Sequence, residues 1–110
     1  MLPARVAAAE VGWHLYPVLI DFDALGISRR AVMTALRKQG IGTQVHYIPV
    51  HEQPYYRGRY GAADLPGAGS YYRRTLSLPL YPGMADDDVD RVVDALSRAI
   101  EGGEKTTVEV

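Results

Sequence analysis

Two histidines and a glutamate, His46, His51 and Glu52, lie close together in one short segment. Side chains of these types could ligate a metal ion or transfer a proton. Their spacing is not the i, i+4 pattern that places two histidines on one face of a helix, and no third ligand is obvious nearby. We therefore predict no metal site. For both histidines, residue chemistry alone leaves a functional and a structural role equally open.

Groups for covalent catalysis are scarce in this sequence. The chain has no cysteine, and no serine stands in a nucleophile arrangement. Only Lys38 and Lys105 could form a Schiff base. Lys38 falls at the end of a solvent-facing helix and Lys105 in the tail, so neither amine is expected to be activated by burial. Composition and spacing alone do not make a complete active site.

Tyrosine and arginine are concentrated between residues 54 and 74. The set comprises Tyr55, Tyr56, Arg57, Arg59, Tyr60, Tyr71, Tyr72, Arg73 and Arg74. Such a surface resembles those that bind nucleic acid, although the net charge of −1 and the acidic final helix oppose that function. Tyrosines at this density more often form a protein interface or a ligand wall. A stand-alone ferredoxin-like module that binds nucleotide or RNA through this surface is the alternative interpretation.

The elements around His46 are predicted to deliver it to the end of a small sheet. Ser28 is a plausible N-cap for a helix from Arg29 to Gln39, which Gly40 ends. Arg29 and the other basic residues of this helix are expected to face water. A strand from Thr43 to Ile48 follows, and the chain then leaves the sheet at a proline as a loop or irregular helix.

Two more strands and two more helices complete the prediction. Trp13 to Phe22 forms a strand that Pro17 confines to a sheet edge or a bulge. A short helix runs from about Ala68 to Arg74, and a short strand from Leu76 to Pro79. The last helix covers Asp86 to Glu101. Its buried stripe is predicted to comprise Val89, Val92, Val93, Leu96 and Ile100.

Length and composition suit one soluble domain. The chain has 110 residues, of which 47% are hydrophobic and 23% are charged. No apolar run approaches the ~20 residues of a membrane span, and the first residues do not resemble a secretory signal. With no cysteine to form disulfides, we expect a cytoplasmic protein that binds neither membrane nor nucleic acid.

We predict an α/β fold of the two-layer α+β type. A small, mainly antiparallel sheet of about three strands would be packed against helices. Residues 1–12 are interpreted as a linker or the start of a fragment, residues 13–101 as the domain, and residues 102–110 as a flexible tail after the glycine pair that follows the last helix.

Four stretches carry a resemblance to a known family. They are Trp13 to Pro17, Gly40 to His51, Gln53 to Tyr56 and Leu76 to Met84. In order and spacing they resemble the C-terminal small domain of the DegT/DnrJ/EryC1/StrS sugar aminotransferases. These are fold type I enzymes that depend on pyridoxal phosphate and act on nucleotide-linked keto sugars. The combination most resembles the branch that aminates UDP-4-keto-6-deoxy-HexNAc in pseudaminic acid synthesis.

The resemblance also implies what this sequence lacks. In the family, the large N-terminal domain supplies the Schiff-base lysine, the acid that partners the pyridine nitrogen, and most of the phosphate cup. None of these has a counterpart here, which implies a small domain alone, inactive by itself, with no catalytic residue and no bound cofactor. Pyridoxal phosphate, the N-terminal domain, the nucleotide sugar and a homodimeric partner would belong to the full-length enzyme.

The resemblance marks four residues as a pocket for substrate and cofactor. His46 and the loop from Tyr47 to His51 would lie against the sugar, and Tyr81 would back them. By this carry-over, His46 orients the substrate and does not perform the chemistry. The sequence departs from the family pattern at Glu52, where an apolar residue is common, and this leaves the exact substrate open.

Overall fold

A two-stranded antiparallel sheet lies at the centre of the fold. In a computed structural model, residues 12–109 are described, with side chains as far as Gly102; the predicted linker therefore lies outside the described residues, apart from Gly12. Strand β1 (Tyr16–Leu19) pairs with β2 (Thr75–Leu78). Pro17 faces Ser77 in this pairing, and β1 forms an edge of the sheet, as Pro17 predicts.

The predicted third strand, Thr43 to Ile48, is wrong. Only Gln44 pairs with the sheet: its N–H donates to the Ser77 carbonyl at 3.1 Å, and the Ser77 N–H donates to the Gln44 carbonyl at 2.8 Å. The next hydrogen-bonding position on one side would fall at Pro79, which has no N–H. On the other side, the Thr75 N–H donates to the Tyr71 carbonyl. The ladder therefore stops after one bridge.

Five helices and one 3₁₀ turn surround the sheet in the described part of the chain. They are α1 (Phe22–Leu25), α2 (Arg29–Lys38), the 3₁₀ turn (Val50–Glu52), α3 (Pro54–Tyr60), α4 (Pro66–Arg74) and α5 (Asp86–Glu109). Helices α2 and α5 contact each other, and their buried residues join those of the sheet in one core. This mixture of helices with a small antiparallel sheet confirms the predicted fold class.

Helix α2 is the most accurately predicted element. Its N-cap is Ser28, whose hydroxyl accepts the Ala31 N–H at 3.0 Å. Val32 and Leu36 are fully buried, as the apolar stripe predicts. Beyond the helix, Gly40 has a φ of +78°, a left-handed backbone that favours glycine.

Helix α5 buries only part of the predicted stripe. Val92 is buried, and Leu96 and Ile100 pack against the core, as predicted. Val89 and Val93 are instead 46% and 52% exposed, and Ala95 and Ala99 are buried in their place. The two alanines are small enough to bring the helix backbone close to its neighbours, so the contact face is rotated toward them. The helix also passes Gly102, because glycine weakens a helix by only about 1 kcal/mol relative to alanine. Flexibility of residues 102–110 stays a prediction.

The tyrosine-rich part of the chain is more helical than predicted. Residues from Pro54 form helix α3, which begins with a proline at its first position, where no intrahelical donor is needed. Helix α4 begins with Pro66, two residues before the predicted start. No helix among the described residues is long and apolar enough to cross a membrane.

Arg29 does not face water, contrary to the prediction. Its guanidinium donates to the Tyr72 carbonyl and, at 3.3 Å, to the Thr75 carbonyl. It also lies 5.0 Å from the centre of the Tyr72 ring. These contacts fix the junction of α4 and β2 to the start of α2.

Replacing Arg29 with methionine is expected to lower the free energy of unfolding by about 1–3 kcal/mol, because two carbonyls lose a charged donor. Urea denaturation followed by circular dichroism measures this. The exposed neighbour Arg30 provides the control, and Arg30→Met should change stability by less than about 0.5 kcal/mol. If the two variants lost equal amounts of stability, Arg29 would contribute only its charge and not its hydrogen bonds to the two carbonyls.

Candidate functional site

The Gln44 bridge brings His46 against the middle of β2. The imidazole Nδ1 of His46 lies 2.9 Å from the Ser77 hydroxyl oxygen, and Ser77 is only 4% exposed. One ring nitrogen is therefore held by a buried hydroxyl. Within the described part of the chain, the other nitrogen, Nε2, has no recorded hydrogen bond, so it is available to a ligand.

Ser77 is the site residue that sequence reasoning missed. It stands between Leu76 and Leu78 in β2 and is buried, and most buried side-chain polar groups have a hydrogen-bond partner. That bond holds the His46 ring in one orientation.

Replacing Ser77 with alanine is expected to cost about 1 kcal/mol of stability and to change the tautomer balance of His46, because Nδ1 loses its partner. Long-range ¹H–¹⁵N correlation spectra report the tautomer, and urea denaturation reports the stability. Ser97→Ala on the exposed face of α5 is the matched control. An unchanged His46 spectrum in Ser77→Ala would contradict the positioning role of Ser77.

Tyr47 lies beside His46 and points to the surface. The two rings meet edge to face, with centroids 4.6 Å apart and an angle of 84° between their planes. Tyr47 is 71% exposed. A cavity of about 490 Å³ opens here, and its lining comprises Val45, Tyr47, Ile48, Gln53, Pro54 and Tyr72. An exposed aromatic ring at a cavity is suited to contact with a ligand or a partner domain.

His51 lines two further cavities. Its Nε2 is 3.8 Å from a Glu52 carboxylate oxygen, and both side chains line a cavity of about 500 Å³. His51 also lines an almost wholly apolar cavity of about 440 Å³ that includes Tyr56 and Tyr60. The 490 and 500 Å³ cavities share Ile48 and Tyr72, so Tyr47 and His51 face adjoining spaces.

Tyr81 lies in a separate cavity of about 300 Å³. That cavity is formed with Gly40, Met84 and Arg91, and none of the other predicted site residues lines it. The structure thus brings together the rings of His46 and Tyr47, while His51 lines the cavity that adjoins the one at Tyr47. The assignment of all four to one pocket stays a prediction. No group of three side chains that could hold a metal ion occurs among the residues described.

The surface around this site exposes large apolar side chains. More than half of the surface of each is accessible in Tyr47, Ile48, Val50, Tyr55, Tyr60 and Leu65. Clustered exposure of this kind marks an interaction surface or a binding groove.

A profile of the DegT/DnrJ/EryC1/StrS aminotransferase family matches residues 1–97. The chain belongs to this family. It is also 50% identical over 95 residues to the spore coat polysaccharide biosynthesis protein SpsC of Bacillus subtilis, covering 84% of this chain and 24% of SpsC. The resemblance found in the sequence motifs is therefore confirmed.

Solved structures of sugar aminotransferases share the fold. Helicobacter pylori PseC, an aminotransferase involved in the biosynthesis of pseudoaminic acid, matches with a TM-score of 0.72 and 26% identity over 80% of this chain and 24% of PseC. DesI, solved in the presence of its TDP-sugar product, matches with a TM-score of 0.73 and 34% identity over 86% of this chain and 24% of DesI.

The chain spans about a quarter of the length of these relatives. Enzymes of the family depend on pyridoxal phosphate. The alternative of a stand-alone nucleotide or RNA module is not favoured, because family and fold both agree with an aminotransferase.

Proposed function

We propose that this chain is the C-terminal small domain of an aminotransferase that transfers an amino group to a nucleotide-linked 4-keto-6-deoxy sugar. The observation that carries the proposal is the 50% identity to SpsC over most of the chain. The folds of PseC, which is involved in pseudoaminic acid biosynthesis, and of DesI, solved in the presence of its TDP-sugar product, support it further. We assign the chain to the branch of the family that acts in pseudaminic acid synthesis, and this assignment gives its substrate class.

The residues of this chain suit contact with the substrate at a pyridoxal phosphate site. They do not suit the role of the Schiff-base lysine. Lys38 is exposed at the end of α2 and lines none of the cavities around Tyr47 and His51. His46 offers a positioned ring nitrogen and Tyr47 an exposed ring, groups that can hold a polar, planar ligand. When bound, pyridoxal phosphate supplies the electron sink for amino transfer. The Schiff-base lysine would come from the N-terminal domain of the same enzyme.

The residues of this chain would bind and orient the sugar. Ser77 holds the His46 ring, so that Nε2 can donate to or accept from a sugar hydroxyl in one direction only. Tyr47 would cover an apolar face of the sugar and exclude water. His51 would close the side of the sugar that faces the neighbouring cavity, because its imidazole lines two cavities.

The exposed apolar surface supports docking of the N-terminal domain. Val50, Tyr60 and Leu65 surround an apolar cavity that would otherwise stay open to water. The assembled enzyme would be a homodimer, and this isolated chain would be inactive.

A chimera tests the proposal directly. Replacing the corresponding C-terminal quarter of SpsC with this chain should give an enzyme that aminates a UDP-4-keto-6-deoxy sugar from glutamate, with the absorbance of lysine-bound pyridoxal phosphate. The isolated chain, assayed in parallel, should show neither the absorbance nor activity. A folded chimera that binds the cofactor but aminates no nucleotide-linked keto sugar would contradict the proposed function.

A further inference from the structure

A cavity of about 400 Å³ lies between α1, the start of α2 and α4, and the candidate site does not use it. None of the four predicted site residues lines this cavity. Its lining combines two carboxylates with three guanidiniums, from Asp21, Asp23, Arg29, Arg73 and Arg74. Charged groups of both signs therefore surround one space that could hold a small molecule.

Three of these five charged side chains already bind the backbone. The Asp21 carboxylate accepts the Ala24 N–H at 3.1 Å. The Arg29 guanidinium donates to two carbonyls, as described above. The Arg74 Nε donates to the Ser70 carbonyl at 3.4 Å. These groups serve the fold, because each one satisfies a backbone donor or acceptor at the edge of the cavity.

Asp23 and Arg73 are the other two, and they differ from the first three. Within residues 12–102, no hydrogen bond or ion pair is recorded for either side chain, and no ion pair joins the two to each other. A carboxylate accepts hydrogen bonds from an ammonium group, and a guanidinium donates two parallel ones to a carboxylate. Two unpaired charges of opposite sign at one cavity suit a ligand that carries both charges.

The backbone beneath Arg73 leaves room for its guanidinium at this place. Position 69, one turn earlier in α4, is a glycine, and a methyl group there would lie 3.3 Å from the Arg73 Nη1. Glycine inside a helix lowers helix propensity, yet here it lets the guanidinium lie against the helix. Arg73 is thus held beside the cavity and does not extend away from the protein.

The cavity also has an apolar wall. Phe22 and Ile27 line it, and Phe22 is buried in the core. Tyr72 lines it as well, and the Arg29 guanidinium lies 5.0 Å from the centre of the Tyr72 ring. Apolar walls with a few polar groups at defined places are the usual form of a small-molecule site. An α-amino acid with an aliphatic side chain carries the matching ammonium, carboxylate and apolar groups in one molecule.

We propose that this cavity binds an aliphatic α-amino acid, with Arg73 binding the carboxylate and Asp23 the ammonium group. The inference goes beyond the proposed function, because the amino acid bound here is neither the sugar nor the amino donor. Tyr72 lines this cavity and also those at Tyr47 and His51. A bound amino acid would therefore contact a residue of the candidate site without entering it, which is the position of an effector.

Titration of the full 110-residue chain with L-leucine tests the site by ¹H–¹⁵N NMR at constant pH and ionic strength. L-Leucine up to about 10 mM, a range that reveals millimolar affinity, should shift the amide signals of residues 21–29 and 70–74. Two analogues each lack one of the charges. 4-Methylpentanoate has no ammonium group and L-leucinamide no carboxylate, and each should bind at least about fivefold more weakly than L-leucine.

Variants of the two unpaired residues identify the contacts. Arg73→Met should weaken L-leucine binding at least about tenfold, because the carboxylate loses a charged donor. Arg30→Met removes the same charge at an exposed position outside the cavity and should weaken binding less than about twofold. Asp23→Asn should weaken L-leucine at least about fivefold and leave 4-methylpentanoate unchanged, since that analogue has no ammonium group. Asp94→Asn on the exposed face of α5 is its control.

Four results would overturn the proposal. They are the absence of shifts with L-leucine, shifts confined to other parts of the chain, equal weakening in Arg73→Met and Arg30→Met, and an analogue that binds as tightly as L-leucine. Tight binding of 4-methylpentanoate would show a site for anions alone. None of these results depends on aminotransferase activity, so failure of the amino acid site would leave the proposed function standing.

Discussion

Replacing Leu36 with alanine is expected to lower the free energy of unfolding by about 2–5 kcal/mol, the range for a large-to-small change in a packed core. Leu36 is fully buried in α2 and belongs to the core shared with Val32, Val92 and Leu76. Total stability for a domain of this size is about 5–15 kcal/mol, so the variant loses a large fraction of it. Urea denaturation followed by circular dichroism measures the change.

Two control variants separate cavity formation from a general effect of mutation. Leu36→Met keeps most of the volume and should cost less than about 1.5 kcal/mol. Leu80→Ala lies at an exposed position and should cost less than about 1 kcal/mol. A loss in Leu36→Ala no larger than that in Leu80→Ala would show that α2 is not packed as the structure describes.

The stability of α2 also bears on the site. The Leu36 carbonyl accepts the Ile41 N–H at 3.0 Å, which ties the end of α2 to the segment leading to Gln44. At the same end, Arg91 of α5 donates to the Gln39 carbonyl, and Arg98 donates to the Gln39 side chain at 3.2 Å. Loosening this end is therefore expected to loosen the bridge that places His46.

Helices α2 and α5 could be predicted because their signals are local. Ser28 caps α2 and Gly40 follows its end, and both act within one turn of the helix. The start of α5 at Asp86 is likewise predicted, and the Asp88 carboxylate accepts the Ala85 N–H there at 3.0 Å. Burial of Ala95 in place of Val93 could not be predicted, because the choice depends on how closely neighbouring elements approach.

The third strand could not be excluded from local sequence. Thr43 to Ile48 has the β-branched and aromatic residues of a strand, and Gln44 does pair. What stops the ladder is the partner strand, since Pro79 has no donor and the Thr75 N–H is bound to Tyr71. That information lies more than 25 residues away along the chain.

The candidate site shows the same division between local and distant information. The motif from His46 to His51 predicts a site in this segment, because its residue types suit a binding loop. The Ser77 contact joins residues 31 apart in sequence, and the Arg29 contact with Tyr72 joins residues 43 apart. No periodic pattern reports such contacts. The sequence does not distinguish Arg57 from the other arginine of α3, whereas its place at a cavity does.

Replacing His46 with alanine in the SpsC chimera is expected to reduce kcat/KM for the nucleotide-linked keto sugar by about 100-fold. The proposed role of His46 is to hold the sugar in one direction, and small errors in substrate placement cost about that factor. Stability should fall by only about 1 kcal/mol, since a single hydrogen bond to Ser77 is lost. Steady-state kinetics with varied sugar concentration measure the activity, and urea denaturation of the isolated chain measures the stability.

His14 offers a matched control for this variant. It is an exposed histidine just before β1, and His14→Ala removes the same side chain without removing the bond to Ser77. Its kcat/KM should stay within about twofold of the parent chimera. The Ser77→Ala variant should fall between the two, because the imidazole remains but loses its fixed orientation. If His46→Ala were as active as His14→Ala, the imidazole would have no part in binding the sugar, and its bond to Ser77 would serve only to join the Gln44 bridge to β2.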